Sequence, residues 1–180
     1  MSPHSRVGSG RNTSTGLAAL ALTVLLPVFG TAKDGQYRVR PLTGFDRATV
    51  ERALALAERR LATPECNGLL FEFRAADGRT LAESLEAMGT SAAGRLRSLE
   101  FADGAAWPGC QSGVAHLLVE APGSAMVLVC PVFVRGQFRQ PTRAASYVIH
   151  ELLHSAGLGE NPPTSEYITR RVEDRCGAVR

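Results

Sequence analysis

The sequence lacks the features that mark a nucleic-acid-binding or membrane-spanning protein. Its 20 Lys and Arg residues barely outnumber its 17 Asp and Glu residues. The basic residues neither cluster nor alternate with aromatic side chains, which argues against nucleic acid as a partner. Beyond the N-terminal segment, no apolar run approaches the roughly 20 residues that a membrane-spanning helix requires. Low-complexity tracts are also absent, so the composition favours one globular domain.

Residues 1–32 have the three parts of a secretory signal peptide. Arg6 and Arg11 lie in a basic leader, residues 16–30 form an apolar run, and small residues follow. The apolar run is too short to span a bilayer, so we expect cleavage rather than stable membrane insertion. The sequence therefore predicts a secreted or periplasmic domain consisting of residues 33–180.

Cysteine is scarce and widely spaced, at Cys66, Cys110, Cys130 and Cys176. No C-x-x-C pair is present, which argues against a cysteine zinc site. An even number of cysteines in an exported chain predicts two disulfide bonds. Three pairings are possible, and we favour Cys66–Cys110 with Cys130–Cys176, which would tie the last helix to the strand before the preceding helix.

The spacing of apolar residues predicts a mixture of helices and strands. Strands are expected at 36–40, 69–73, 95–101, 114–120 and 126–134, and helices at 46–62, 81–88, 142–156 and 165–176. The last two strands flank a short Pro-Gly turn, which predicts an antiparallel hairpin. This order of elements predicts an α+β fold: a small mixed sheet whose hairpin packs on the helix at 142–156 and on a C-terminal helix.

The segment HELLH, residues 150–154, is the strongest sign of chemistry. Two histidines four residues apart lie on one face of a helix, one turn apart, where His150 and His154 can bind a single metal ion. The surrounding residues are apolar, and polar groups among them are costly to bury unless something satisfies them. Glu151 is placed to act as the general base toward a metal-activated water. The alternative is that the segment is only core packing.

The longer string HELLHSAGLGE, residues 150–160, resembles the H-E-x-x-H-x-x-G-x-x-H signature of metzincin-type metallopeptidases among the zincins. Glu160 stands where the third histidine would be. The chain is also similar to small uncharacterised bacterial exported proteins with tails close to HSLGLGENPPSS. The resemblance implies a zincin-like fold, Zn²⁺ held by His150, His154 and Glu160, Glu151 as the catalytic base, and a peptide or protein substrate. The methionine-containing turn of metzincins is absent, since the last methionine is Met126.

Several details of the site stay open at this level. Gluzincin-type peptidases take a third ligand from a later helix, where this chain has Glu166 and Glu173. Tyr167, and after it Tyr147, are candidates for stabilising a developing oxyanion. A lone strand histidine such as His116 is more often structural than a ligand.

The predicted strand at 126–134 is a candidate for pairing with a substrate. Zincin-like folds place an edge strand above the metal helix, where an extended peptide can pair with it. Pro131 suits an edge strand better than a central strand, because it lacks an N–H to donate. An ordinary core strand is the alternative.

The function that we expect is that of an exported zinc metallopeptidase in which a zinc-activated water hydrolyses peptide bonds. Two alternatives share the metal site: a metal-binding exported protein without catalysis, and a zinc amidase that acts on cell-wall peptides. The sequence does not determine the oligomeric state.

Overall fold

Four short strands form one sheet in the computed structural model, which describes residues 37–40, 42–137 and 139–177. The strands are β1 (Arg38–Val39), β2 (Glu100–Asp103), β3 (Leu117–Val119) and β4 (Met126–Val129). Their order across the sheet is β1-β2-β4-β3. β2 is parallel to both β1 and β4, whereas β3 is antiparallel to β4. The sheet is therefore mixed, with β3 at one edge.

The helices of the described residues follow local capping rules. They are α1 (Gly44–Leu61), α2 (Pro64–Asn67), α3 (Leu69–Glu72), α4 (Leu81–Ala87), α5 (Ala92–Ser98), α6 (Pro108–Gln111), α7 (Pro131–Gln137), α8 (Pro141–Ser155) and α9 (Ser165–Cys176). Side-chain oxygens accept hydrogen bonds from first-turn amides at Thr43, Thr63, Thr80, Ser91 and Thr164. Such caps satisfy backbone donors that the helix itself cannot pair. In the described part of the chain, no helix is long and apolar enough to cross a membrane.

The core lies where α1 packs against α8. The apolar face of α1 is buried and consists of Val50, Ala53, Leu54, Ala57 and Leu61. Arg60 is buried beside this face, and its Nη1 donates to the Thr142 carbonyl at 2.8 Å and the Ser146 hydroxyl at 3.3 Å. These bonds hold the start of α8 against α1, so the helix that carries HELLH has a fixed position.

The predicted helices and the antiparallel hairpin are confirmed, but several predicted strands are wrong. Residues 69–72 form the short helix α3, and most of the strand predicted at 95–101 belongs to α5, with β2 starting at Glu100. The strand predicted at 126–134 stops at Val129, because Pro131 begins α7. Short apolar runs suit buried strands and helices equally, and proline is favoured at the first position of a helix.

The two disulfide bonds are confirmed, but the favoured pairing is wrong. Cys66 is bonded to Cys176, and Cys110 to Cys130. The reason is packing: α9 lies against α2, which brings Cys176 to Cys66, while Cys110, in α6, packs with Leu128 and Cys130 at the end of β4. The first bond ties the closing helix to the N-terminal half of the domain. The predicted signal peptide, residues 1–32, lies outside the described residues.

Candidate metal centre

The helix α8 places two histidines and a glutamate inside the protein. It begins with Pro141, and its apolar residues Val148, Ile149, Leu152 and Leu153 are fully buried. His150 is 4% exposed, and Glu151 and His154 are each 8% exposed. Because buried polar groups need partners, the contacts of these three side chains decide what the site can do.

The two imidazole rings converge through their Nε2 atoms, which are 3.0 Å apart. The Nδ1 atom of His154 is 2.8 Å from the Leu158 carbonyl, and the Nδ1 atom of His150 is 3.0 Å from the Thr169 hydroxyl. A carbonyl oxygen can only accept, so the Nδ1 atom of His154 carries the proton. The Nε2 lone pair of His154 is therefore available to a cation.

Glu160 completes the group from the loop after α8. Its Oε1 atom is 3.4 Å from Nε2 of His154 and 3.7 Å from Nε2 of His150. The donor atoms of the three residues all lie within 4.8 Å of one another, so together they could hold a metal ion. The Glu160 side chain is 40% exposed and leaves one side of the group open.

Gly157 allows the chain to turn back toward the histidines. Its φ is +111°, a conformation that residues with a Cβ rarely adopt. A Cβ at this position would also lie 3.0 Å from the Cβ of Ala75. The turn lets the Leu158 carbonyl accept from Nδ1 of the His154 ring, and it brings the Glu160 carboxylate close to Nε2 of the same ring.

Burial and neighbouring charge set the protonation of the site. Burial, assisted by the nearby His154, lowers the pKa of His150 to about 3, so this ring is neutral at physiological pH, as metal ligation requires. Burial raises the pKa of Glu151 to about 8, although a hydrogen bond from the Val119 amide at 2.9 Å opposes the rise. The charge of Glu160 also raises this pKa. A cation at the neighbouring ligands would lower it again.

A cleft of about 490 Å³ opens onto the histidines, Glu151 and Glu160. One wall is the edge strand β3, and the cleft is also lined by Tyr147 and His116, whose rings are 4.2 Å apart. Burial, partly offset by a backbone hydrogen bond at Val114, lowers the pKa of His116. Both aromatic residues were minor candidates from the sequence, and the fold brings them to the site.

The strand that borders the cleft differs from the one expected. The edge position proposed for residues 126–134 is wrong, since β4 is central in the sheet and β3 is the edge strand. The backbone carbonyl of His116 accepts from the Cys130 amide, so the backbone groups of His116 and Leu118 point toward β4. Backbone groups alternate along an antiparallel strand, so those of Leu117 and Val119 point away from β4, toward the cleft. The Val119 amide is the donor to Glu151.

The other predicted site residues lie elsewhere. Glu166 and Glu173 are exposed and do not belong to the group formed by the histidines and Glu160. Tyr167 is 46% exposed and packs edge-to-face on Phe73, in a groove separate from the cleft. Two residues along a helix amount to about 200° of rotation, so Tyr167 faces away from the side of α9 that carries Thr169.

Thr169 is the site residue that the sequence reasoning missed. It lies beside Ile168 and one turn before Val172, both fully buried. A hydroxyl residue next to the apolar stripe of a helix was the available signal. The partners Leu158 and Val119 contribute backbone atoms, and no side-chain pattern marks such contacts.

Comparison of the chain with protein-family models, with curated proteins and with solved structures gave no match. The interpretation of the site therefore depends on its own geometry and chemistry.

Proposed function

We propose that this protein is an exported zinc-dependent metallopeptidase of zincin-like architecture. The observation that carries the proposal is the convergence of two Nε2 atoms and one carboxylate at an open cleft, next to the buried Glu151. The two disulfide bonds are typical of proteins that fold in an oxidising compartment. With the signal peptide predicted at 1–32, they support a secreted or periplasmic location.

The donor set suits a catalytic zinc ion. Tetrahedral coordination at 2.0–2.1 Å places ligand atoms about 3.3 Å apart. The separations among His150, His154 and Glu160 are 3.0, 3.4 and 3.7 Å, which bracket that distance. Structural zinc sites take four protein ligands, whereas catalytic sites take three and leave a position for water. When bound, zinc would lower the pKa of that water and polarise the substrate carbonyl.

Glu151 would move the proton in this reaction. Its carboxylate would accept the proton of the attacking water and deliver it to the leaving amide nitrogen. The Val119 amide bonds to one carboxylate oxygen, Oε2, and so fixes the orientation of the group. The other oxygen remains for the proton transfer. A buried glutamate in a cleft beside metal-binding side chains is the arrangement expected of a general base.

The edge strand β3 supports a peptide substrate. The backbone groups of Leu117 and the carbonyl of Val119 face the cleft, where an extended peptide could add as a further strand. The peptide bond next to the paired segment would then lie beside the histidines of α8, which contacts β3. A cleft of about 490 Å³ has room for a few residues of such a chain.

The test combines metal analysis with peptide cleavage. The protein is exported into an oxidising compartment, purified, and measured for zinc by plasma mass spectrometry and for hydrolysis of quenched fluorescent peptides. We expect about one zinc per chain. Glu151→Gln should keep the zinc and lose about 10²–10⁴-fold in kcat/KM, the usual contribution of a general base. Glu166→Gln, on the exposed face of α9, is the matched control and should change neither quantity.

The outcomes separate the alternatives. Zinc without cleavage of any peptide would indicate a metal-binding protein without catalysis. Activity on murein fragments but not on unfolded proteins would identify a cell-wall amidase. A Glu151→Gln variant as active as the wild type would refute the catalytic role of this residue.

A further inference from the structure

The two histidines differ in the hydrogen-bond partner of their Nδ1 atoms. The Leu158 carbonyl next to His154 can only accept a hydrogen bond, so His154 keeps its proton on Nδ1. The Thr169 hydroxyl next to His150 can either donate or accept. His154 is therefore held in one tautomer, whereas His150 has a partner for both of its neutral tautomers.

The Nε2 atoms of the two rings lie 3.0 Å apart and face the same carboxylate, that of Glu160. The contacts of the Nδ1 atoms are therefore what orients each ring toward this place.

A metal ion at this place requires one protonation pattern of the rings. Both Nε2 atoms must offer lone pairs to the cation, so His150 has to carry its proton on Nδ1. That N–H needs an acceptor inside the protein, and the Thr169 oxygen lies 3.0 Å away. The hydroxyl meets the need by rotating its hydrogen away from the ring.

We propose that Thr169 is a positioning residue whose hydroxyl oxygen accepts from Nδ1 of His150, holds that ring with its Nε2 atom toward the site, and so strengthens metal binding. The inference rests on the metal site of the proposed function but does not depend on hydrolysis.

The helix α9 is built to keep this hydroxyl in place. Ile168 and Val172, on either side of Thr169, are fully buried. The end of α9 is bonded to α2 through Cys66–Cys176, and Arg171 donates to Glu72 at the end of α3. A β-branched side chain adds stiffness, since threonine has few accessible rotamers in a helix. The distance from Thr169 to His150 is therefore set by the fold and not by a mobile side chain.

The test uses substitutions that distinguish the effect of the Thr169 hydroxyl from the effect of the side-chain shape. Thr169→Val has the same shape without the hydroxyl, and Thr169→Ser keeps the hydroxyl. Ser165→Ala is the matched control, because Ser165 lines the same cleft from the same helix and is not a hydrogen-bond partner of either histidine. The affinity for Zn²⁺ is measured by competition with a chelator. We expect Thr169→Val to weaken zinc binding by about 10–100-fold, the usual effect of losing such a partner.

Thr169→Ser and Ser165→Ala should bind zinc close to wild-type affinity. Nitrogen NMR of the imidazole rings gives a second readout on the wild-type protein. In the zinc-loaded protein both His150 and His154 should carry their protons on Nδ1. Rescue by serine together with this protonation pattern would support the inference.

Three results would overturn it. These are equal zinc affinity of Thr169→Val and the wild type, equal loss in the valine and serine variants, and a zinc-loaded protein in which the His150 proton is on Nε2. A wild-type protein that binds no zinc would remove the site and this inference together. Affinities and tautomers as expected, without peptide cleavage, would refute the proposed hydrolysis and leave this inference standing.

Discussion

Arg95 connects the β3–β4 turn to the end of α8, and its removal should loosen both. Its Nη2 atom donates to the carbonyls of Gly123 at 2.8 Å, Ser124 at 3.0 Å and Ser155 at 2.9 Å. The Gly123 amide in turn donates to the His154 carbonyl at 2.9 Å. Arg95 thus places a positive charge at the C-terminal end of α8, where the helix dipole favours it.

The cost of removing the guanidinium follows from these contacts. A hydrogen bond from a charged group to a neutral acceptor contributes about 1.5–3 kcal/mol. The contributions do not add, since a single nitrogen serves three carbonyls and water can replace Arg95 at the exposed Gly123 carbonyl. We therefore expect Arg95→Met, which keeps the aliphatic stem, to lower the free energy of unfolding by about 3 kcal/mol.

The assay is urea unfolding of oxidised protein, followed by circular dichroism. Arg97→Met is the matched control, because Arg97 is on the same helix and pairs with Glu58 at the surface. An exposed ion pair contributes about 0–1 kcal/mol, so this variant should unfold close to the wild type. For the peptidase activity that we propose, Arg95→Met should also lower kcat/KM, because β3 would be held less firmly beside Glu151. Equal stability of the two variants would refute the role assigned to Arg95.

Two further predictions concern Glu160, the proposed third ligand, and the closing helix. Glu160→Gln should weaken zinc binding by more than about 100-fold, since even the loss of a hydrogen-bond partner of a metal ligand costs about 10–100-fold in metal affinity. The control variant Glu173→Gln should bind zinc like the wild type. Equal zinc content of the two variants by plasma mass spectrometry would contradict the role of Glu160 as a ligand. Replacing Cys66 and Cys176 together by serine should lower the free energy of unfolding by about 2–5 kcal/mol in urea titrations. Peptide mapping by mass spectrometry should find these two cysteines linked, and any other pairing would contradict the fold.

The sequence was sufficient for features that depend on neighbouring residues. The spacing of His150 and His154 places them on one helical face regardless of the rest of the fold. Gly157 and Glu160 follow within six residues, so a single turn can bring this carboxylate to the rings. The preference for Glu160 over Glu166 and Glu173 came from the resemblance to metzincin-type peptidases and not from local spacing. The buried face of α1 and the antiparallel hairpin also follow from local spacing. These parts of the prediction agree with the structure.

Only the tertiary structure decided which distant segments meet. The partner of Cys66, the edge position of β3, and the contacts of Thr169 with His150 and of Val119 with Glu151 all join residues far apart in the chain. Each contact depends on how α9 and the sheet pack around α8, and local propensity carries no information about that packing. Short apolar runs were ambiguous for the same reason, since burial, and not intrinsic preference, determines whether they become strand or helix.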